Sequence, residues 1–231
     1  MTWDLAILVP SRGRPHNVVR LVAACAVTCK AKTQLVFAFD RDDPELPRNI
    51  EATAKARFPV RGVIGDRKSM AAWTNELAAE AARDAAHVAS LGDDHRPLTD
   101  HWDTDLLSEI AKLGGTGIAY GNDLLQGANL PTAPVVSSNI VTALGWLCEP
   151  SLAHYCVDNV WKDLGQGADC LAYREDVVIE HCHPFVGKAP PDATHNEAMA
   201  GDYLDQQAYD AWAATRRADD VRTVAEVVRA A

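Results

Sequence analysis

Short apolar runs alternate with helix-period stretches along the first half of this 231-residue chain. That alternation restricts it to an α/β layer structure with a largely parallel sheet. Leu5–Pro10 reads as a first strand, closed by the breakers Pro10, Gly13 and Pro15. Val18, Val19, Leu21, Val22, Cys25 and Cys29 then recur at helical spacing over 16–29. Gln34–Phe39 predicts a second strand ending at Asp40, followed by a helix over about Glu45–Phe58 and a strand at Val60–Ile64. An alanine-rich helix over 69–86 opens at Ser69, whose hydroxyl suits an N-cap. His87–Leu91 is the next strand and runs straight into Gly92-Asp93-Asp94-His95.

The second half is less regular. Trp102–Leu113 predicts a helix and Gly117–Tyr120 a strand, before a Gly/Pro/Asn-rich segment over Gly121–Pro134. That segment is too long and polar for a plain connection, and such loops commonly cover a site. Helices follow near Ser138–Trp146 and Asp158–Leu164, then strands near Cys170–Tyr173 and Val177–His181. From Asp202 the tail reads as helical and charged, packed against the outside. The expected organisation is a single domain over 1–200 with a C-terminal helical extension over 201–231.

Composition excludes several classes. The apolar and charged fractions, 48% and 23%, are those of a globular chain. No window approaches the run of roughly 20 apolar residues needed to span a bilayer. The N-terminus lacks the basic stretch and long apolar core of a signal peptide, so the expected location is the cytoplasm, with no membrane partner. A net charge of −10 argues against whole-surface binding to nucleic acid, although Arg12, Arg14, Arg20, Lys30 and Lys32 gather near the N-terminus. The six cysteines include no CxxC pair and read as thiols.

Ligands of open α/β sheets sit beyond the carboxyl ends of the strands. Three predicted strands end in polar residues: Pro10-Ser11-Arg12, Asp40, and Asp93-Asp94-His95. Adjacent carboxylates repel unless a cation neutralises them, and oxygen ligands suit Mg²⁺ or Mn²⁺. The competing reading of GDD is a solvated turn. Glu180-His181-Cys182-His183-Pro184 ends the last predicted strand, where His181 and His183, two apart, face one side and can complete a cation site.

These motifs, in this order, resemble the GT-A glycosyltransferases, above all the family-2-like inverting enzymes and their small phage-encoded relatives. The resemblance spans roughly Leu5 to His183. It implies a Rossmann-like, mostly parallel central sheet with flanking helices and a small antiparallel C-terminal part. It also implies a nucleotide-sugar donor, with a UDP-sugar the first expectation, and a divalent Mn²⁺ or Mg²⁺ ion. In LVPSRGRP, Pro10, Ser11, Arg12 and Arg14 would line the donor base and ribose; Asp40, after FAFD, would face the base. The Gly65-to-Asn75 stretch would present backbone amides and Arg67 to the diphosphate, as helix N-termini do for anions. In LGDDH, Asp94 would bind the metal and Asp93 lie near the ribose, although glycine replaces the first acid of the family's D-x-D at Gly92. HCHP would supply the metal histidine, with His183 preferred to His181, and Asp158 would be the general base. The helix-cap role is the structural alternative for Asp158. A hydroxylated pyrimidine in phage DNA is the first acceptor expectation, in the host cytoplasm.

Three rival classes are weighed against this. A metal-dependent hydrolase or nuclease would use Asp93, Asp94, His95, His181 and His183. A nucleotidyltransferase would carry GGxGTR, which the N-terminal loop lacks. A non-catalytic DNA-binding module is disfavoured by the acidity.

Overall fold

The computed structural model describes residues 1–184 and 187–231. Its strands are β1 (Trp3–Ser11), β2 (Thr33–Asp40), β3 (Val60–Gly65), β4 (Ala85–Ser90), β5 (His95–Pro97), β6 (Ile118–Asn122), β7 (Val135–Ser137) and β8 (Leu171–His181). The helices are α1 (Pro15–Thr28), α2 (Leu46–Ala54), α3 (Met70–Ala81), α4 (Trp102–Lys112), α5 (Ser138–Leu144), α6 (Val157–Gly167), α7 (Ala193–Ala200), α8 (Asp202–Thr215) and α9 (Arg217–Ala230). The strands form one sheet in the order β3-β2-β1-β4-β7-β6-β8-β5. Its first half, β3 to β4, is parallel throughout; β7 then runs antiparallel to both β4 and β6, and β5 runs antiparallel to β8.

Helices cover both faces, which is why β1 is apolar without alternation. Leu5, Ile7 and Val9 enter one core with α1 and α4, whereas Ala6 and Leu8 enter the other with α3, α5 and α6. Among the described residues no helix is long and apolar enough to cross a membrane.

Several expected boundaries move for physical reasons. The helix expected over 69–86 stops at Ala81, because Ala85 is already paired with Trp3 in the β1–β4 ladder. The helix expected to reach Trp146 ends at Leu144, where Gly145 adopts φ 78° and closes it. The two strands expected at 170–181 are one, β8, whose register against β6 jumps from Gly121–Arg174 to Asn122–Val178. Gly121 permits that irregularity: a Cβ there would lie 2.3 Å from the Val177 carbonyl oxygen.

The tail is more than an outer layer. Trp212 of α8 and Val224 of α9 are fully buried in the core shared with α5 and α6. α7 and the start of α8 reach the carboxyl edge of the sheet.

Candidate active site

At the carboxyl ends of β1, β2 and β4 the sheet opens into a cleft of about 470 Å³. That volume suits a nucleotide-sized ligand. Every residue singled out from the sequence for donor, metal or base lines it, from Pro10 on β1 to His183 beyond β8.

The β1 terminus is tied to its neighbours by ion pairs. Ser11 Oγ donates to Asp93 Oδ2 at 2.6 Å. Arg12 donates to Asp40 at 3.1 Å and Asp42 at 2.6 Å. Arg14 forks onto Asp192 through two bonds of 2.6 Å and reaches Asp93 at 3.3 Å. Asp40, nearly buried at the end of β2, also accepts from Trp73 Nε1 at 2.7 Å. At the start of α3, Ser69 is the expected cap, accepting from Ala72 N at 3.2 Å. Arg67 ahead of it pairs with Glu197 of α7.

Asp93 and Asp94 point apart and serve different neighbours. Asp93, 3% exposed, is held by Ser11, Arg14 and Asn17. Burial, with Asp94 adding to it, pushes its carboxyl up to about 6 against the opposing Arg14. Burial also works against ionising Asp94, yet the adjoining His181 imidazole and the Arg14 guanidinium hold its carboxyl well below the usual range. Gly92 makes room for this arrangement, since a Cβ there would sit 2.6 Å from Asp94 Oδ1. The glycine in the first slot of the expected D-x-D therefore has a steric reason.

β5, with no sequence signal of its own, brings the histidines together. It pairs His95 directly with His181 of β8, and their rings stack at 4.3 Å. His181 Nε2 lies 3.6 Å and His95 Nδ1 3.7 Å from Asp94 Oδ1. The Cys182 amide donates to the Asp94 carbonyl at 3.0 Å, and the His181 amide to the Asp123 carbonyl at 2.9 Å. Burial and neighbouring His181 lower His95 to about 3, favouring a neutral imidazole, the form that binds metals. Asp94, His95 and His181 thus offer ligand atoms within 4.8 Å of one another. Among the described residues, Nε2 of His95 and Nδ1 of His181 are buried without a hydrogen-bond partner. Since His95 Nδ1 accepts the Gly92 amide at 3.0 Å, its neutral ring carries the proton on Nε2, whereas the bare Nδ1 of His181 is an orphan that a bound ion or its waters would relieve. His183 lines the same cleft, its ring 5.0 Å edge-on from His181, but the three-residue group takes His181.

Asp158, also in the lining, occupies the first turn of α6. Cys156, not Asp158, is the N-cap, with φ 64°, and Asp158 Oδ1 accepts from the neighbouring Asn159 amide. Burial raises its carboxyl to about 6, a value suited to a proton acceptor near neutrality. Asp205 of α8 accepts the backbone N–H groups of Ala153, His154 and Tyr155 and so shapes this wall. Asp205, Asp192 and Glu197 have no local sequence signature, because their partners lie far away along the chain. His95 did have one, standing directly after the paired carboxylates.

The sequence matches no protein-family profile and no curated protein. Similarity emerges in three dimensions. The mannosyltransferase PcManGT from Pyrobaculum calidifontis, solved with GDP-Man and Mn²⁺, superposes with a TM-score of 0.58 over 100% of this chain and 75% of its own, at 11% identity. The fold is GT-A. S. aureus TarS gives a TM-score of 0.59 at 11% identity, covering 76% of this chain and 36% of that protein. TarS residues 1–349 in complex with UDP-GlcNAc give 0.57 at 10% identity over 97% and 71%. This chain therefore spans little more than a third of the length of whole TarS. A cytidylyltransferase from Leptospira borgpetersenii is similar at 0.51, with 12% identity over 75% and 76%, so the GT-A architecture is shared with a second chemistry.

Proposed function

We propose that the chain is a metal-dependent glycosyltransferase that moves a sugar from a nucleotide-sugar donor to an acceptor hydroxyl. The observation that carries this reading is the placement of Asp40, the Asp94–His95–His181 group and Asp158 around one cleft. Sugar transfer fits better than nucleotidyl transfer, because the more similar structures are the glycosyltransferases and the N-terminal loop lacks the glycine-rich phosphate cradle. It fits better than hydrolysis, because the cleft joins the metal group to an arginine-lined nucleotide side.

The donor base and ribose would rest on Pro10, Ser11, Arg12 and Asp40, with Asp93 locking Ser11 and Arg14 into position. Arg67 would approach the diphosphate at the start of α3. Asp94, His95 and His181 would hold a divalent ion, which when bound neutralises charge on the departing diphosphate. One oxygen and two nitrogen donors favour Mn²⁺ or a later first-row ion over Mg²⁺. Asp158 would take the proton of the attacking hydroxyl from the opposite face, making the reaction inverting.

Calorimetric titration with UDP and GDP, with and without Mn²⁺, tests the reading. Metal-dependent nucleotide binding, lost in Asp94→Ala, is expected; binding indifferent to the ion would remove the metal role. Incubation with labelled UDP- and GDP-sugars then identifies the donor.

A further inference from the structure

The cleft is electrically two-sided. Its cations Arg12, Arg14, Arg67 and Lys68 all come from the stretch between β1 and α3. The lining built from 153–161 and the Asp205 that holds it contains no lysine or arginine. That wall contributes Asp158 and Asp205, with His154, Tyr155 and Trp161 beside them. Its nitrogen bases are imidazoles, which carry no permanent charge. The arginines on the other side already face carboxylates: Arg12 faces Asp40 and Asp42, Arg14 faces Asp93 and Asp192, and Arg67 meets Glu197 in a weak, exposed pair.

A phosphate group approaching this wall would lose water and meet carboxylates, with no guanidinium or ammonium to replace its hydration. An uncharged polyol or sugar ring meets no such penalty. It finds hydrogen-bonding groups and the half-buried face of Tyr155, a side chain with an apolar body and a polar tip. The backbone that carries this ring is anchored. The Tyr155 amide donates to Asp205 at 2.7 Å, and the ring packs edge-on to His154 at 5.1 Å.

We infer that the acceptor is uncharged, a hydroxyl-bearing molecule with an apolar or sugar-ring face set against Tyr155, and neither a phosphorylated compound nor a nucleic acid. The inference rests on the glycosyl-transfer reading and names the acceptor class for it. It runs against a DNA base as acceptor, because phosphate contacts supply much of the affinity for a duplex and this wall offers none.

The test uses two matched probes, p-nitrophenyl β-D-glucopyranoside and its 6-phosphate, on the full chain saturated with UDP and Mg²⁺. Binding is read by saturation-transfer NMR titration. The neutral probe should bind roughly tenfold tighter, the size of one unfavourable charge contact. Tyr155→Ala should weaken the neutral probe about fivefold or more, the loss of a ring contact being of order 1 kcal/mol. His154→Lys, at an exposed position, should shift the preference toward the phosphorylated probe by adding a cation. Equal or tighter binding of the 6-phosphate to the unaltered protein overturns the inference. So does the absence of signal from both probes in a protein that binds UDP. Failure to bind UDP or GDP at all, by contrast, strikes the glycosyl-transfer reading itself.

Discussion

Trp73 and Asp40 are joined by a 2.7 Å hydrogen bond from the indole nitrogen to the carboxylate. The bond links the first turn of α3 to the end of β2 and aims Asp40 into the cleft. It depends on Gly65, where a Cβ would lie 2.5 Å from the edge of the indole ring. Gly65→Ala should therefore displace the indole and loosen Asp40. Overpacking of this kind costs about 1–3 kcal/mol, or a melting point lower by roughly 2–10 °C in a chain of this size. Thermal unfolding and nucleotide titration should both respond. A variant with unchanged melting point and affinity would show that the indole is free to move.

Arg67 pairs with Glu197 of α7, so a diphosphate that needs Arg67 must first displace a carboxylate. Both side chains are substantially exposed, which keeps the pair weak. Glu197→Gln should tighten UDP binding by a factor of about 2–5, corresponding to less than about 1 kcal/mol. The gain should shrink as salt is raised. Calorimetry at two ionic strengths checks this, and weaker binding by the glutamine variant would show that Glu197 helps rather than competes.

The parallel half of the sheet was legible because β1, β2 and β4 are buried on both faces and bounded by strong breakers. The candidate metal group was only half legible. Asp94 and His181 stand at recognisable strand ends, but His95 joins them through β5, a His-Arg-Pro strand too short to show any period. β8 looked like two strands because Glu175 to Val177 leave the ladder just after Arg174, whose guanidinium pairs with Glu109 and Asp176. The acidic residues of the tail were silent for a different reason. A carboxylate that closes a loop 50 residues away, as Asp205 does, leaves no mark on its own neighbourhood.

Burial raises the Asp158 carboxyl from 3.8 to about 6. As a base it must be ionised, so transfer should fall off below about pH 6, with a tenfold loss per further pH unit. The same shift has a cost in stability. The folded chain holds the Asp158 proton more tightly than the unfolded chain does, so this contribution to stability is fully present below about pH 4 and is lost as pH rises through about 6. Asp158→Asn removes the ionisation. At pH 7.5 in chelator it should be more stable than the parent, by up to about 3 kcal/mol at one pKa unit per 1.36 kcal/mol, while transfer drops at least about 100-fold. Denaturant unfolding and single-turnover transfer measure the two effects. Retained transfer would dismiss Asp158 as the base, and a destabilised asparagine variant would show that the carboxylate is a structural anchor.

Asp205 governs the other side of the same wall. It is 3% exposed and accepts the amides of Ala153, His154 and Tyr155 at 2.7, 2.9 and 2.7 Å. The Ala153 carbonyl in turn accepts from the Ala71 amide at 2.9 Å, so one loop joins α3, α8 and the entry to α6. Asp205→Asn preserves shape but replaces one acceptor oxygen with an NH₂ group facing amide donors. At least one part-buried N–H then loses its acceptor, at about 1–3 kcal/mol. The melting point should fall by roughly 5–10 °C on the usual scaling for 150–250 residues. Amide exchange over 153–155 should accelerate first, because the lost bonds are local. Nucleotide affinity should hold, since the donor side is built from β1, β2 and α3, whereas kcat should fall as Asp158 loses its fixed approach. If nucleotide affinity and kcat fell together, α8 would be supporting the whole cleft rather than its acceptor wall.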